Sequence, residues 1–241
     1  MRFCISLAYN GTRYNGWQIQ PNAVSVQETI EKELSKVLQE QISLVGAGRT
    51  DTGVHASCYF AHFDINQQFD TKDIVYKLNK MLPPDIVINS IHEVSNEYHA
   101  RFGAKSRTYI YTLTTVKNPF TIETAWLYPY KIDLELMNKA AAVLMNYMDF
   151  TSFSKLHTDV ANNNCTITSA KWEQVGNTIT FTITANRFLR NMVRSITGTL
   201  LDVGQGKITI EDFEKIIESK NRQNAGQSIP AHGLCLVDIS Y

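Results

Sequence analysis

Three segments of the sequence hold residue types at spacings that could do chemistry. In "VGAGRTDTGVHA", residues 45–56, Gly46, Gly48 and Gly53 surround the compact run Arg49, Thr50, Asp51. Glycines let a backbone turn tightly and approach a ligand closely. An Asp in a glycine-rich loop often does no more than cap a turn. Here the loop lies between two expected strands, where rigid scaffolds display reactive groups. Asp51-Thr52-Gly53 is also the tripeptide that carries the carboxylate of aspartic proteases. That chemistry needs two carboxylates sharing one proton. The chain has one such tripeptide, and a neighbouring Arg49 would hold Asp51 ionised, so a protease is disfavoured. His55 reads equally as a structural strand histidine or a functional group.

The second segment is "YHARFGAKSRTYIYTL", residues 98–113, with Arg101, Lys105 and Arg107 and no acid. Tyr98, Phe102, Tyr109 and Tyr111 are interleaved with these cations. On a strand, Arg107, Tyr109, Tyr111 and Leu113 share one face. Cations beside rings suit RNA, because phosphates meet the cations and an unstacked base lies on a ring. A strand with core tyrosines and solvated arginines would look the same. The third segment is "ANRFLRNMVRSITGTL", residues 185–200. Arg187, Arg190 and Arg194 are spaced to stack on one face of a helical start. The free N–H groups of a first helical turn also favour an anion. No acid occurs between Glu173 and Asp202, so helix-surface ion pairing does not explain the arginines, and a phosphate or carboxylate partner does.

The elements that must position these residues follow from periodicity. "RFCISLAY" alternates as a half-buried strand and ends at Asn10-Gly11. "SVQETIEKELSKVLQ" predicts a helix with Ser25 and Glu28 as a capping box and an apolar stripe of Val26, Ile30, Leu34, Val37 and Leu38. Strands are expected at 42–46, 54–63, 86–94 and 107–116, and a helix at 71–81 that stops before Pro83-Pro84. The second half predicts a helix at 133–146 capped by Asp133 and a hairpin across Gly176-Asn177. Helices from Phe188 to Asp202 and over 210–219 follow, then the strand "LCLVDIS". Each half is α+β. The loop at 116–121 is the expected joint, giving lobes 1–116 and 117–241, with a ligand cleft between two such halves.

The chain has 241 residues, 44% apolar and 19% charged, which is ordinary for a globular protein with a sizeable core. Its net charge of zero excludes a global attraction to polyanions, so any such site is a local patch. Cys4, Cys58, Cys165 and Cys235 have no metal-ligand spacing and read as buried thiols in a reducing compartment. With no secretory apolar core and no stretch long enough to span a bilayer, the expectation is a soluble cytoplasmic protein without membrane contact.

Taken together, the three segments resemble the tRNA pseudouridine synthase A family. The similarity covers nearly the whole chain and includes "YNGTRYNGWQIQPNAVSVQETIEKEL", "LPPDIVI", "DFTSF" and the closing "AHGLCLVDISY". The resemblance implies a two-lobed α+β fold with a mixed, largely antiparallel sheet through both lobes and flanking helices. It implies a homodimer that uses no cofactor and no metal and isomerises uridine at tRNA positions 38, 39 and 40. The family's catalytic Asp falls on Asp51 in "GRTD", its active-site Tyr on Tyr109, and the basic partner of the Asp on Arg194. Arg49 matches an arginine thought to help flip the target nucleotide. Position 52 departs from the family's more usual Ala, and Thr52 is what creates the protease look-alike.

The reaction breaks the ribose C1′–uracil N1 bond and joins C5 to C1′. A carboxylate suits a C1′ that develops positive character. Uracil leaves as a delocalised anion, so one carboxylate suffices. Attack on C1′ and removal of a ribose proton to give a glycal both remain open. Tyr109 would stack on the flipped uracil and help remove the C5 proton, and Arg107, Arg187 and Arg190 would meet RNA backbone. A tRNA-binding chaperone without turnover is the alternative from a different class.

Overall fold

The computed structural model describes residues 1–155 and 162–241. It divides into two compact units, residues 1–105 with 236–241, and residues 106–235. Among the described residues there are nine strands and five α-helices.

In the first unit, β1 (Arg2–Tyr9) buries Phe3, Ile5, Leu7 and Tyr9, as its alternation requires. Helix α1 (Val26–Leu38) starts at the Ser25 cap, whose hydroxyl accepts from Glu28 N–H at 3.2 Å. Its stripe of Val26, Ile30, Leu34 and Leu38 is buried, while Val37 is half-buried. Full burial of such side chains contributes about 1.5–3 kcal/mol each. Strand β2 is only Val45–Gly46, shorter than the expected 42–46. The reason is competition for its backbone groups. Ile42 N–H donates to Ser35 Oγ (2.9 Å), and Leu44 N–H to Glu31 Oε1 (2.7 Å), so side chains of α1 take the place of ladder bonds.

Strand β3 (His55–Asp64) pairs antiparallel with β1 and β2. Helix α2 (Thr71–Met81) is capped by Asp70. Strand β4 (Ile86–Val94) pairs antiparallel with β1, with a register shift between Ser6 and Leu7. Asn79 of α2 bonds both backbone groups of Ile88 at 2.8 Å, next to that shift.

The second unit begins with β5 (Ser106–Thr114), upstream of the loop expected as the joint. The reason is its pairing: Arg107 to Thr114 run antiparallel against the strand of residues 178–185. Two-residue β6 (Trp126–Leu127) pairs parallel with β5. Helix α3 (Leu134–Val143) is capped by Asp133, and a 3-10 turn over 144–146 replaces its expected last turn. Strands β7 (Ile167–Val175) and β8 (Thr178–Ala185) form the hairpin, with Gly176 at φ +58°. That left-handed turn suits glycine.

Helix α4 (Met192–Gly204) is buried on almost every side and packs against α3 and α5 (Ile210–Glu218). It starts four residues later than the periodicity predicts. Asn191 sits at φ +66°, in the left-handed region, and the Arg190 carbonyl accepts from Lys155 N–H at 3.1 Å. The backbone therefore turns before it coils. Strand β9 (Leu234–Ser240) returns the chain to the first unit, where the strand order is β4-β1-β3-β9. The α+β class and the mixed, mostly antiparallel strand pairing are those expected from the sequence.

Candidate active site

The glycine-rich loop between β2 and β3 displays Arg49 and Asp51, and the first unit holds it from both ends and the middle. At its start, the buried Tyr59 hydroxyl donates to the Gly48 carbonyl and accepts from Gly48 N–H at 3.3 Å. The Tyr59 ring packs against Trp17, with centroids 4.1 Å apart. In the middle, the Thr50 and Tyr9 hydroxyls are 2.9 Å apart. At its end, Gly53 N–H donates to Tyr14 O (3.3 Å) and Val54 N–H to Asp51 O (3.1 Å).

Two glycines of "YNGTRYNGW" explain why that segment can lie so close. A Cβ on Gly11 would overlap the Val54 carbonyl, and one on Gly16 the Thr50 carbonyl. Gly16 also adopts φ +82°, which L side chains rarely take. The Gly16 and Trp17 carbonyls accept from Val26 and Gln27 N–H, two of the unpaired donors at the start of α1. Helix α1, the 9–17 segment and the Asp51 loop thus form one connected support. Sequence reasoning missed Tyr9, Gly11, Gly16, Trp17 and Tyr59 as parts of the site. The paired Asn-Gly steps were the available signal.

On this support Arg49 and Thr52 are exposed and Asp51 is half-buried. His55 is buried, and its Nδ1 accepts from Gly11 N–H at 3.0 Å, so it has a structural task in fixing the loop's end.

The other expected residues lie on the second unit. Tyr109 is half-buried on β5, opposite Ile183. Its ring meets Phe188 edge to face, with centroids 5.2 Å apart at 89°. Arg107 Nη1 donates to Asn186 O at 2.8 Å. Arg194 lies in the first turn of α4, and its Nε donates to Ile229 O at 2.7 Å. This contact orients the guanidinium.

The irregular segment 225–230 that receives Arg194 is itself fixed. Arg222 Nη2 donates to Ser228 Oγ (2.9 Å), Gly226 N–H to Thr199 Oγ1 (2.9 Å), and the Tyr111 hydroxyl to Pro230 O (2.8 Å). Burial raises Tyr111 above the usual phenol range, and the charge of Arg194 partly opposes this. Arg187 and Arg190 precede α4 instead of forming its face. Arg190 is exposed and Arg187 half-buried. The nearby Arg187 charge works against burial, which pushes the Cys165 thiol up to about 11. The structure therefore groups Arg49 with Asp51 on one unit, and Tyr109, Phe188, Tyr111 and Arg194 on the other.

Among the described residues no group of three His, Cys, Asp or Glu could hold a metal ion. None of their helices is long and apolar enough to cross a membrane.

One α+β unit thus displays a carboxylate beside an arginine, and the other an aromatic strand and an arginine-bearing helix start. A family model described as tRNA pseudouridine synthase matches residues 5–103 and 140–241. The chain belongs to the tRNA pseudouridine synthase family and is an isomerase. It is 54% identical over 245 residues to tRNA pseudouridine synthase A of Porphyromonas gingivalis, covering 100% of this chain and 97% of that protein. The protein of the same name from Parabacteroides distasonis is 52% identical over 241 residues, covering 100% and 96%. That from Clostridium acetobutylicum is 40% identical over 239 residues, covering 98% of each.

Proposed function

We propose that this chain isomerises uridine to pseudouridine at positions 38, 39 and 40 of the tRNA anticodon stem-loop. The observation that carries this reading is the Asp51 loop itself, a half-buried carboxylate beside an exposed Arg49 on a rigid support, in a chain that matches its relatives from end to end.

In this reading Asp51 acts as the reacting carboxylate, and Arg194 is the basic residue of the reaction. The N1–C1′ bond breaks with its electron pair going to uracil, which leaves as an anion. Asp51 either bonds to C1′ or takes a ribose proton. The base then turns and C5 bonds to C1′ as the Asp51–C1′ bond breaks, or as Asp51 returns the ribose proton; the C5 proton is lost and N1 is protonated, so nothing is oxidised or hydrolysed. Swinging the base out of the stack costs a few kcal/mol, and Arg49 offsets part of it by filling the vacated space. Tyr109 stacks on the uracil, and its hydroxyl assists removal of the C5 proton. The edge contact with Phe188 supports this role by holding the ring in place. Arg107, Arg187 and Arg190 meet backbone phosphates. The enzyme works without cofactor or metal, as a cytoplasmic homodimer. The free state of Cys4, Cys58, Cys165 and Cys235 is compatible with a reducing compartment.

The test is incubation with unmodified tRNA transcript, followed by carbodiimide labelling and primer extension. Stops at 38, 39 or 40 are expected. Tight tRNA binding without any stop would leave a binding-only protein and overturn the proposal.

A further inference from the structure

We propose that Phe102 and Arg101 form a stacking platform for an unpaired base of the RNA substrate, in addition to the residues that handle the target uridine. The proposal rests on the reading that the substrate is RNA. Phe102 is 77% exposed. Single exposed apolar side chains are common on proteins and need no function. Three observations separate this ring from that background.

First, the ring is braced. His99 lies against it with centroids 4.4 Å apart. His99 cannot easily turn away, because its Nδ1 accepts from both Arg101 N–H (3.1 Å) and Phe102 N–H (3.2 Å). The turn is fixed further by Gly103 N–H to His99 O (2.8 Å), Ala100 N–H to His62 Nδ1 (3.1 Å) and the Tyr241 hydroxyl to Ala100 O (2.8 Å). A ring held in this way has little freedom left to lose on binding. Second, the Arg101 guanidinium carbon is 5.3 Å from the Phe102 centroid, a cation beside a π surface. Third, Lys105, three residues further on, is exposed, so the same segment offers a second cation for a phosphate. Phe120, at 92% exposure, has no aromatic or cation–π partner among the described contacts, and it makes a natural control.

A fixed ring with cations beside it is the arrangement used in sequence-tolerant single-strand binding. A base stacks on the pair while a neighbouring phosphate meets Lys105.

The test uses the full chain and unmodified tRNA transcript, with Kd and KM measured at several salt concentrations. Phe102→Ala is expected to raise both about tenfold or more without changing the salt slope, since no charge is lost. Phe102→Trp should bring both back to within about threefold, because stacking needs only a π face. Phe102→Leu, apolar but without that face, should not, and Phe120→Ala should leave Kd as it is. Wild-type Kd in Phe102→Ala, or rescue by Leu equal to that by Trp, would overturn the platform. So would a change in the protein's association state with tRNA affinity untouched, which would assign the ring to contact with a second copy. A wild-type protein that binds tRNA but forms no pseudouridine would instead sink the proposed reaction, and the Kd series would still judge the platform.

Discussion

The hydroxyls of Tyr9 and Thr50 lie 2.9 Å apart, which ties the residue between Arg49 and Asp51 to strand β1. Loss of either hydroxyl frees the middle of the loop while both of its ends stay held. A misplaced reacting group costs rate far out of proportion to the stability lost. Tyr9→Phe and Thr50→Val are each expected to lower kcat about tenfold while stability falls by only about 0.5–1.5 kcal/mol. The double variant should be little worse than either single one, since both remove the same bond. Thr50→Ser should recover most of the loss. Steady-state kinetics beside urea denaturation checks this, and additive losses would separate the two residues.

The arginines of the second unit should divide by kinetic signature. Arg194 is oriented by Ile229 O, whereas Arg190 is exposed and Arg187 half-buried ahead of α4. Arg194→Met is expected to lower kcat on the order of 100-fold, as for removal of one preorganised electrostatic partner. Arg187→Gln and Arg190→Gln should raise KM and each flatten the salt dependence of tRNA binding by about one unit of slope. Equal effects of all three on KM alone would reduce Arg194 to a phosphate contact.

His62 makes stability depend on pH. It is 3% exposed, and its Nδ1 accepts from Ala100 N–H, a role that needs an unprotonated nitrogen. Burial, with the Arg2 and His99 charges adding to it and Asp64 opposing, lowers its pKa to about 4. In the unfolded chain it titrates near about 6.5. Between these values the unfolded state binds the proton and the folded state does not. Stability is therefore full above pH 6.5 and falls as pH drops towards 4, by up to about 3 kcal/mol from this group. Urea midpoints measured across that window should show the slope, and His62→Gln should remove it. Asp64, held below the usual carboxylate range by Arg2, adds a further loss only at more acid pH.

Periodic elements were legible in the sequence because one face of each is buried. The strands at 2–9 and 86–94 and the helix at 71–81 follow apolar spacing alone. What was not legible depended on partners distant in sequence. Strand β2 is short because Ser35 and Glu31 take its N–H groups, and nothing local announces that. Helix α4 starts late because Asn191 turns left-handed, and the three arginines that a helical start would align are split. Of the candidate residues, Arg49, Asp51, Tyr109 and Arg194 stand out by residue type and motif. Tyr9, Gly16 and Tyr59 do not, since their work is to hold a loop more than 30 residues away in two cases and 11 in the third.

In the proposed reaction Asp51 carries the chemistry. The most direct measurement compares wild type and Asp51→Asn for pseudouridine formed per enzyme on one tRNA transcript, with tRNA affinity determined in parallel. Asp51→Asn is expected to bind tRNA within about threefold of wild type, because phosphate contacts dominate affinity, and to form no pseudouridine. Pseudouridine formed by Asp51→Asn at a rate near that of wild type would contradict it.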